Sequence, residues 1–193
     1  YTLDDVRISI DAAATQFYDE SKDVYIIDKR ELKAPELLEF WIDIINRYNI
    51  FSIEDPFQEE DFENFALLNS KIGHRCIIVS DDLTVTNVNR VKEAIKRRAI
   101  GGVIIKINQV GTFTEAFDVI QLARIHGIKT IISHRSGDSE DPVIAHIAVG
   151  LNSPFIKTGA PARGERTAKY NELLRIEDYL GEESVYIGNL MLR

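Results

Sequence analysis

The sequence predicts an α/β fold of the TIM-type (β/α) barrel kind, incomplete because its first strands are lacking. Two observations carry this. First, six segments share one form, a short apolar run closed by a charged or ionisable side chain. VRISI closes on Asp11, IFSI on Glu54, CIIVS on Asp81, GGVII on Lys106, KTIIS on His134 and PFI on Lys157. Second, after a first gap of about 43 residues the runs recur roughly every 25, the spacing of a strand–helix repeat. Six parallel strands are too few for a closed eight-stranded barrel. An open six-stranded sheet is the alternative, but no GxGxxG or phosphate-loop motif marks a point of strand reversal.

The elements follow in order. KDVYIID, around residues 22–28, reads as an extra extended segment between the first two strands. Pro35 opens a helix whose apolar stripe is Leu38, Trp41, Ile42 and Ile45, at helical spacing. A second helix follows Pro56, with Phe62, Phe65, Ala66 and Leu68 facing inward. Asn87 caps NVNRVKEAIKRR, and Thr112 with Glu115 forms a capping-box pattern for a helix that stops at Gly127. Asp141 and Pro142 read as N-cap and first helical position for VIAHIAVGL. A last long helix, about 165–180, is closed by Gly181.

Bulk properties narrow the classes. The 193 residues, 45% hydrophobic, suffice for one substantial core, so 1–193 is expected to be a single domain. A net charge of −8 argues against a nucleic-acid partner and suits a site holding divalent cations. Cys76 is the only cysteine, which excludes an intrachain disulfide and suggests a reducing, cytoplasmic setting. No apolar stretch approaches a membrane span and no signal peptide is visible, so no membrane partner is expected. The chain opens on Tyr1 rather than Met, which reads as processing or as a piece of something longer.

In a parallel barrel the C-terminal strand ends converge on one mouth, where active sites are built. Asp11, Glu54 and Asp81 would then form a carboxylate set able to bind one Mg²⁺ through single oxygens. For any one of them a helix cap or surface charge is the alternative. Lys106 lies in a strand-like run, IIKINQ, and is expected to point into the mouth because a parallel strand is covered on both faces. A neighbouring cation disfavours its ammonium form, and a neutral amine can take a proton from carbon. The alternative is a snorkelling or ion-paired lysine. Ser133, His134, Arg135 and Ser136 form a polar loop suited to phosphate, to which Lys157 adds a cation; a turn without a ligand is the plainer reading. His74, His126 and His146 read as structural or exposed. The shared chemistry is proton abstraction next to a carboxylate, with metal ions opposing the charge that builds on its oxygens.

Five strings then carry a resemblance: SIEDPF at 52–57, DDLTVTN at 81–87, KINQVGT at 106–112, SHRSGDSED at 133–141 and IKTGAPAR at 156–163. In this order, over nearly the whole chain, they resemble the enolase family (phosphopyruvate hydratase). GDS at 137–139 stands where the family often has Gly-Glu-Thr. The resemblance implies a lyase of glycolysis and gluconeogenesis that reversibly dehydrates 2-phosphoglycerate to phosphoenolpyruvate. Asp11, Glu54 and Asp81 would hold the catalytic Mg²⁺, with Glu54 and Asp81 also facing substrate. Lys106 would remove the C2 proton and Lys157 would support the substrate carboxylate. His134 would line the pocket beside Ser133, while Arg135 and Ser136 would bind phosphate.

The family's N-terminal capping domain, first barrel strands and general-acid glutamates have no counterpart in these residues, whereas VYIGNL resembles the family's C-terminal region. The isolated chain is therefore expected to have little activity, and to form a homo-oligomer or associate with the lacking N-terminal part. A superfamily member acting on a non-phosphorylated acid, and a non-catalytic module acting through partner binding, are the competing readings.

Overall fold

The computed structural model describes residues 5–188. Its main sheet has six strands: β1 (Ser9–Asp11), β5 (Ser52–Glu54), β6 (Ile77–Ser80), β7 (Gly102–Ile105), β8 (Lys129–Ser133) and β9 (Phe155–Lys157). They lie in that order and every neighbouring pair is parallel. Between them run α1 (Ala34–Tyr48), α2 (Phe62–Ile72), α3 (Val88–Lys96), the short α4 (Ile107–Val110), α5 (Phe113–Ile125) and α6 (Val143–Gly150), and α7 (Gly164–Leu180) follows β9. This is the incomplete α/β barrel that the repeating runs predict, and its sheet is curled. The curl is visible in side chains: Phe51, before β5, meets Phe155 of β9 ring to ring at 5.7 Å, although three strands separate β5 from β9.

Sheet and helices share one core. Ile53, Ile78, Val103, Ile105 and Ile132 on the strands are fully buried, as are Phe65, Leu68, Val91, Ala116 and Val119 on the helices. At α1 the buried stripe is Leu37, Leu38, Trp41 and Ile45. Ile42, assigned to that stripe from its spacing, is only half-buried, and Leu37 takes the inward place. The Trp41 indole donates to the Pro56 carbonyl at 2.8 Å, which ties α1 to the loop leaving β5.

Three boundaries differ from the sequence reading. The helix after Pro56 starts at Phe62, capped by Asp61, because Asp61 Oδ1 accepts from Asn64 N at 3.0 Å. Asp141 accepts from Val143 N at 2.9 Å, but Pro142, read as the first helical residue, occupies the cap position in place of Asp141, and α6 begins at Val143. The extra extended segment is the middle strand of a second, antiparallel sheet: β2 (Tyr18–Asp19), β3 (Val24–Ile27) and β4 (Arg30–Leu32). β3 and β4 are joined by Asp28 and Lys29, both at positive φ (47° and 65°), the backbone that a two-residue hairpin turn requires. The caps at Asn87 and Thr112 lie where the sequence puts them, and Gly127, at φ +71°, follows the end of α5. Tyr1 and the last two residues of VYIGNL lie outside the described residues.

Candidate active site

Because all six strands of the main sheet run the same way, their C-terminal ends face one side. Asp11 closes β1 and pairs in register with Glu54, which closes β5. Lys157, at the end of β9 on the opposite edge, reaches both. Its ammonium lies 2.8 Å from Asp11 Oδ2 and 2.7 and 2.8 Å from the two oxygens of Glu54. One lysine can span the first and last strands only if the sheet curls. A cavity of about 270 Å³ lies within the curl, lined by apolar side chains such as Ile10, Val79, Ile104 and Ile131. Asp11, Glu54 and Lys157 contribute its charged lining.

Asp81 follows β6 directly and is buried. Its Oδ2 accepts from the Lys106 ammonium, while Oδ1 is buried without a hydrogen-bond partner among the described residues. Lys106 itself is not inside a strand. β7 stops at Ile105 and Lys106 occupies the N-cap position of α4. Its backbone N–H donates to Thr86 Oγ1 at 2.9 Å, and the Thr86 hydroxyl donates to Gln109 Oε1 at 2.7 Å. Thr86 is fully buried, and with Val85 it adopts positive φ (55° and 43°). This turn sets where the lysine leaves the backbone.

Asp55 explains how Asp81 is held. Its two oxygens accept the backbone N–H groups of Asp81 (2.9 Å) and Asp82 (2.7 Å). Asp55, Asp81 and Asp82 are the acidic group whose oxygens lie within 4.8 Å of one another. Burial pushes the Asp55 carboxyl up to about 7, although those two N–H bonds act the other way. Burial likewise pushes Glu54 upward against the pull of Lys157, with Asp11 and Asp81 adding to the rise. Both carboxyls are thus raised chiefly by being taken out of water.

The polar loop joins the same mouth, since the His134 N–H donates to the Lys157 carbonyl at 2.9 Å. The Ser133 hydroxyl donates to the His134 carbonyl at 2.9 Å. The Arg135 guanidinium donates to Asn108 Oδ1 at 3.0 Å, and its N–H to Asp138 Oδ2 at 2.8 Å. Ser136 is exposed. The structure thus brings Asp11, Glu54 and Lys157 into one ion-paired group, Asp81 and Lys106 into a second, and the 133–136 loop beside Lys157. His74, His126 and His146 are exposed. Sequence reasoning passed over Thr86, Asn108 and Asp138, and also Arg166 and Lys169, the two buried residues of α7, which hydrogen-bond to the 133–139 loop and carried no signal that distinguishes them from a solvated helix face.

Fold and mouth define a class: a parallel α/β barrel domain whose ionisable groups gather at the C-terminal strand ends. The family described as Enolase, C-terminal TIM barrel domain, matches residues 1–193, and the chain belongs to it. The enolase of Methanosarcina mazei is 49% identical over 187 residues, 97% of this chain and 43% of that protein. That of Metallosphaera sedula is 49% identical over 183 residues, 95% of this chain and 43% of the relative. A Saccharolobus islandicus enolase is 51% identical over 178 residues, 92% and 42% respectively. The chain spans less than half the length of these relatives. No helix among the described residues is long and apolar enough to cross a membrane.

Proposed function

We propose that these residues form the metal- and substrate-binding part of an enolase-type lyase, which dehydrates 2-phosphoglycerate to phosphoenolpyruvate. The observation that carries the reading is the meeting of three carboxylates, two lysines and an arginine-bearing loop at one barrel mouth, in a chain of the enolase family.

The donor set fits Mg²⁺. Carboxylate oxygens are the hard ligands it prefers, and Asp81 Oδ1 is a buried oxygen in want of a partner. Asp11, Glu54 and Asp81 would hold the ion. Asp55, with each oxygen already accepting an N–H, orients Asp81 instead. Bound there, Mg²⁺ would supply positive charge next to the substrate carboxylate and oppose the charge that proton loss builds on it.

The remaining roles belong to side chains. Lys106 takes the C2 proton onto its Nζ, the electron pair left on carbon forms the C2–C3 double bond, and the C3–O bond breaks. Correct placement of such a base contributes ~10²–10⁴ in rate. Lys157 supports the carboxylate, and Arg135 with Ser136 holds the phosphate through a planar fork and a hydroxyl. No residue at this mouth is assigned as the acid that protonates the departing hydroxide. Complete dehydration by these 193 residues alone is therefore expected to be slow, whereas the first half-reaction needs only the groups named.

Proton exchange separates the two. In D₂O with Mg²⁺, NMR should detect loss of the C2 proton of 2-phosphoglycerate, and Lys106→Ala should abolish it. Exchange that persists in that variant removes Lys106 from the mechanism. Exchange of a non-phosphorylated 2-hydroxy acid at an equal rate would count against the phosphate subsite.

A further inference from the structure

α7 buries the wrong kind of residue for a barrel's outer layer. Its two buried residues are both cations, Arg166 at 7% exposure and Lys169 at 1%. Charges are kept inside only where hydrogen bonds satisfy them, and these bonds converge on one loop. The Arg166 guanidinium contacts His134 Nδ1 and donates to the carbonyls of Arg135 (2.7 Å) and Ser136 (2.8 Å). The Lys169 ammonium donates to Asp138 Oδ1 at 3.0 Å, to the Ser139 carbonyl, and to Glu165 O of its own helix at 2.7 Å. Asp138 in turn accepts the N–H groups of Arg135 and Ser139, both at 2.8 Å.

The loop after β9 is fitted to the same arginine. Gly159 has φ +80°, and a Cβ there would lie 3.0 Å from Arg166 Cδ, tighter than nearly all real contacts. The Tyr170 hydroxyl, also on α7, donates to the Gly159 carbonyl. One helix therefore pins both loops that flank the anion-binding groups.

We infer that Arg166 and Lys169 are positioning residues for the anion subsite, with Arg166 holding neutral His134 as the tautomer protonated on Nε2. Guanidinium is a donor only, so the ring nitrogen it meets must be the acceptor, and the proton resides on the other. The same contacts keep the carbonyl oxygens of Arg135 and Ser136 engaged with the helix, where they cannot repel an anion. Lys169 fixes Asp138, which sets the backbone of Arg135. The inference rests on the proposed function for the identity of the anion; the tautomer does not depend on it.

Long-range ¹H–¹⁵N NMR of the ¹⁵N-histidine-labelled chain reads the tautomer, with His134 identified by its absence from His134→Gln. The Nε2–H form is expected in the unmodified chain and a mixed population in Arg166→Met. Phosphoenolpyruvate titrated calorimetrically in Mg²⁺ buffer should bind about tenfold or more weakly to Arg166→Met and Lys169→Met, the loss that charge-assisted hydrogen bonds carry. A role in stability alone would lower the melting temperature and leave both readouts in place. An Nδ1–H tautomer in the unmodified chain overturns the inference, even if Arg166→Met fails to fold. Unchanged tautomer and affinity in folded Arg166→Met overturns it too. An unmodified chain that shows the Nε2–H form but does not bind phosphoenolpyruvate supports the hold of Arg166 on His134 and refutes the enolase reading of the site.

Discussion

At the scale of single residues, burial decides most of the chemistry. Cys76 is 1% exposed and burial pushes its thiol up to about 12, so the reactive thiolate is scarce and shielded. A thiol reagent such as DTNB should label it only as the chain unfolds; stoichiometric labelling of the native chain within minutes would contradict that placement. His134 behaves in the opposite sense. Partial burial, with the positive charges of Arg166 and Lys157 beside it, holds its imidazole below the ordinary 6.5. The fold therefore favours the neutral ring. Its contribution to stability is present above pH 6.5 and is lost as pH falls below that value, because the unfolded chain then takes up the proton first. An NMR titration of His134 should give a midpoint below 6.5, and a midpoint above it would reverse the sign. The strand-end groups were legible because a charge directly after an apolar run stands out. Arg166 and Lys169 were not, since two cations three residues apart on a helix ordinarily mark the solvated side.

Elements were legible where local chemistry alone sets them. Asn87 accepts from Asn89 N and Arg90 N at 2.9 and 3.2 Å, satisfying donors that the first turn of α3 leaves free. Asn87→Ala should cost about 1 kcal/mol in denaturant unfolding; no measurable change would place the helix start elsewhere. Trp41 offers a second check, as the only tryptophan and a buried donor to Pro56. Trp41→Phe keeps the ring packing but leaves the carbonyl unpaired, for an expected loss of roughly 1–2 kcal/mol. The three-stranded antiparallel sheet was only partly legible. Its turn uses Asp28 and Lys29 at positive φ, without the glycine that usually advertises such a hairpin, and β2 is two residues long. Lys106 was placed at the right point along the chain but in the wrong element. IIKINQ reads as a continuous strand, but ladder pairing stops at Ile105, the Lys106 N–H goes to Thr86 instead of a neighbouring strand, and α4 begins at Ile107.

For the whole molecule, the repeat period fixes parallel order, and the curl then brings the strand ends together. What the period cannot convey is which charges pair. Lys157 lies between Asp11 and Glu54, and Lys106 on Asp81, so each lysine faces a carboxylate that the proposal assigns to Mg²⁺. The described sheet also leaves the outer edges of β1 and β9 unpaired, with Val6 and Ile8 beside β1 about half exposed. Such an edge invites a second chain, so light scattering should give a mass above that of one chain; a clean monomer would mean the edges are protected otherwise.

Paramagnetic Mn²⁺, a stand-in for Mg²⁺, probes the shared mouth itself. Added in small amounts to the ¹⁵N-labelled chain, it should broaden the amide signals of Asp11, Glu54, Asp81, Lys106 and Lys157 together, spare those of α1 and α5, and be displaced by excess Mg²⁺. Broadening confined to scattered surface carboxylates, with those five signals left sharp, would mean that no common cation site exists there.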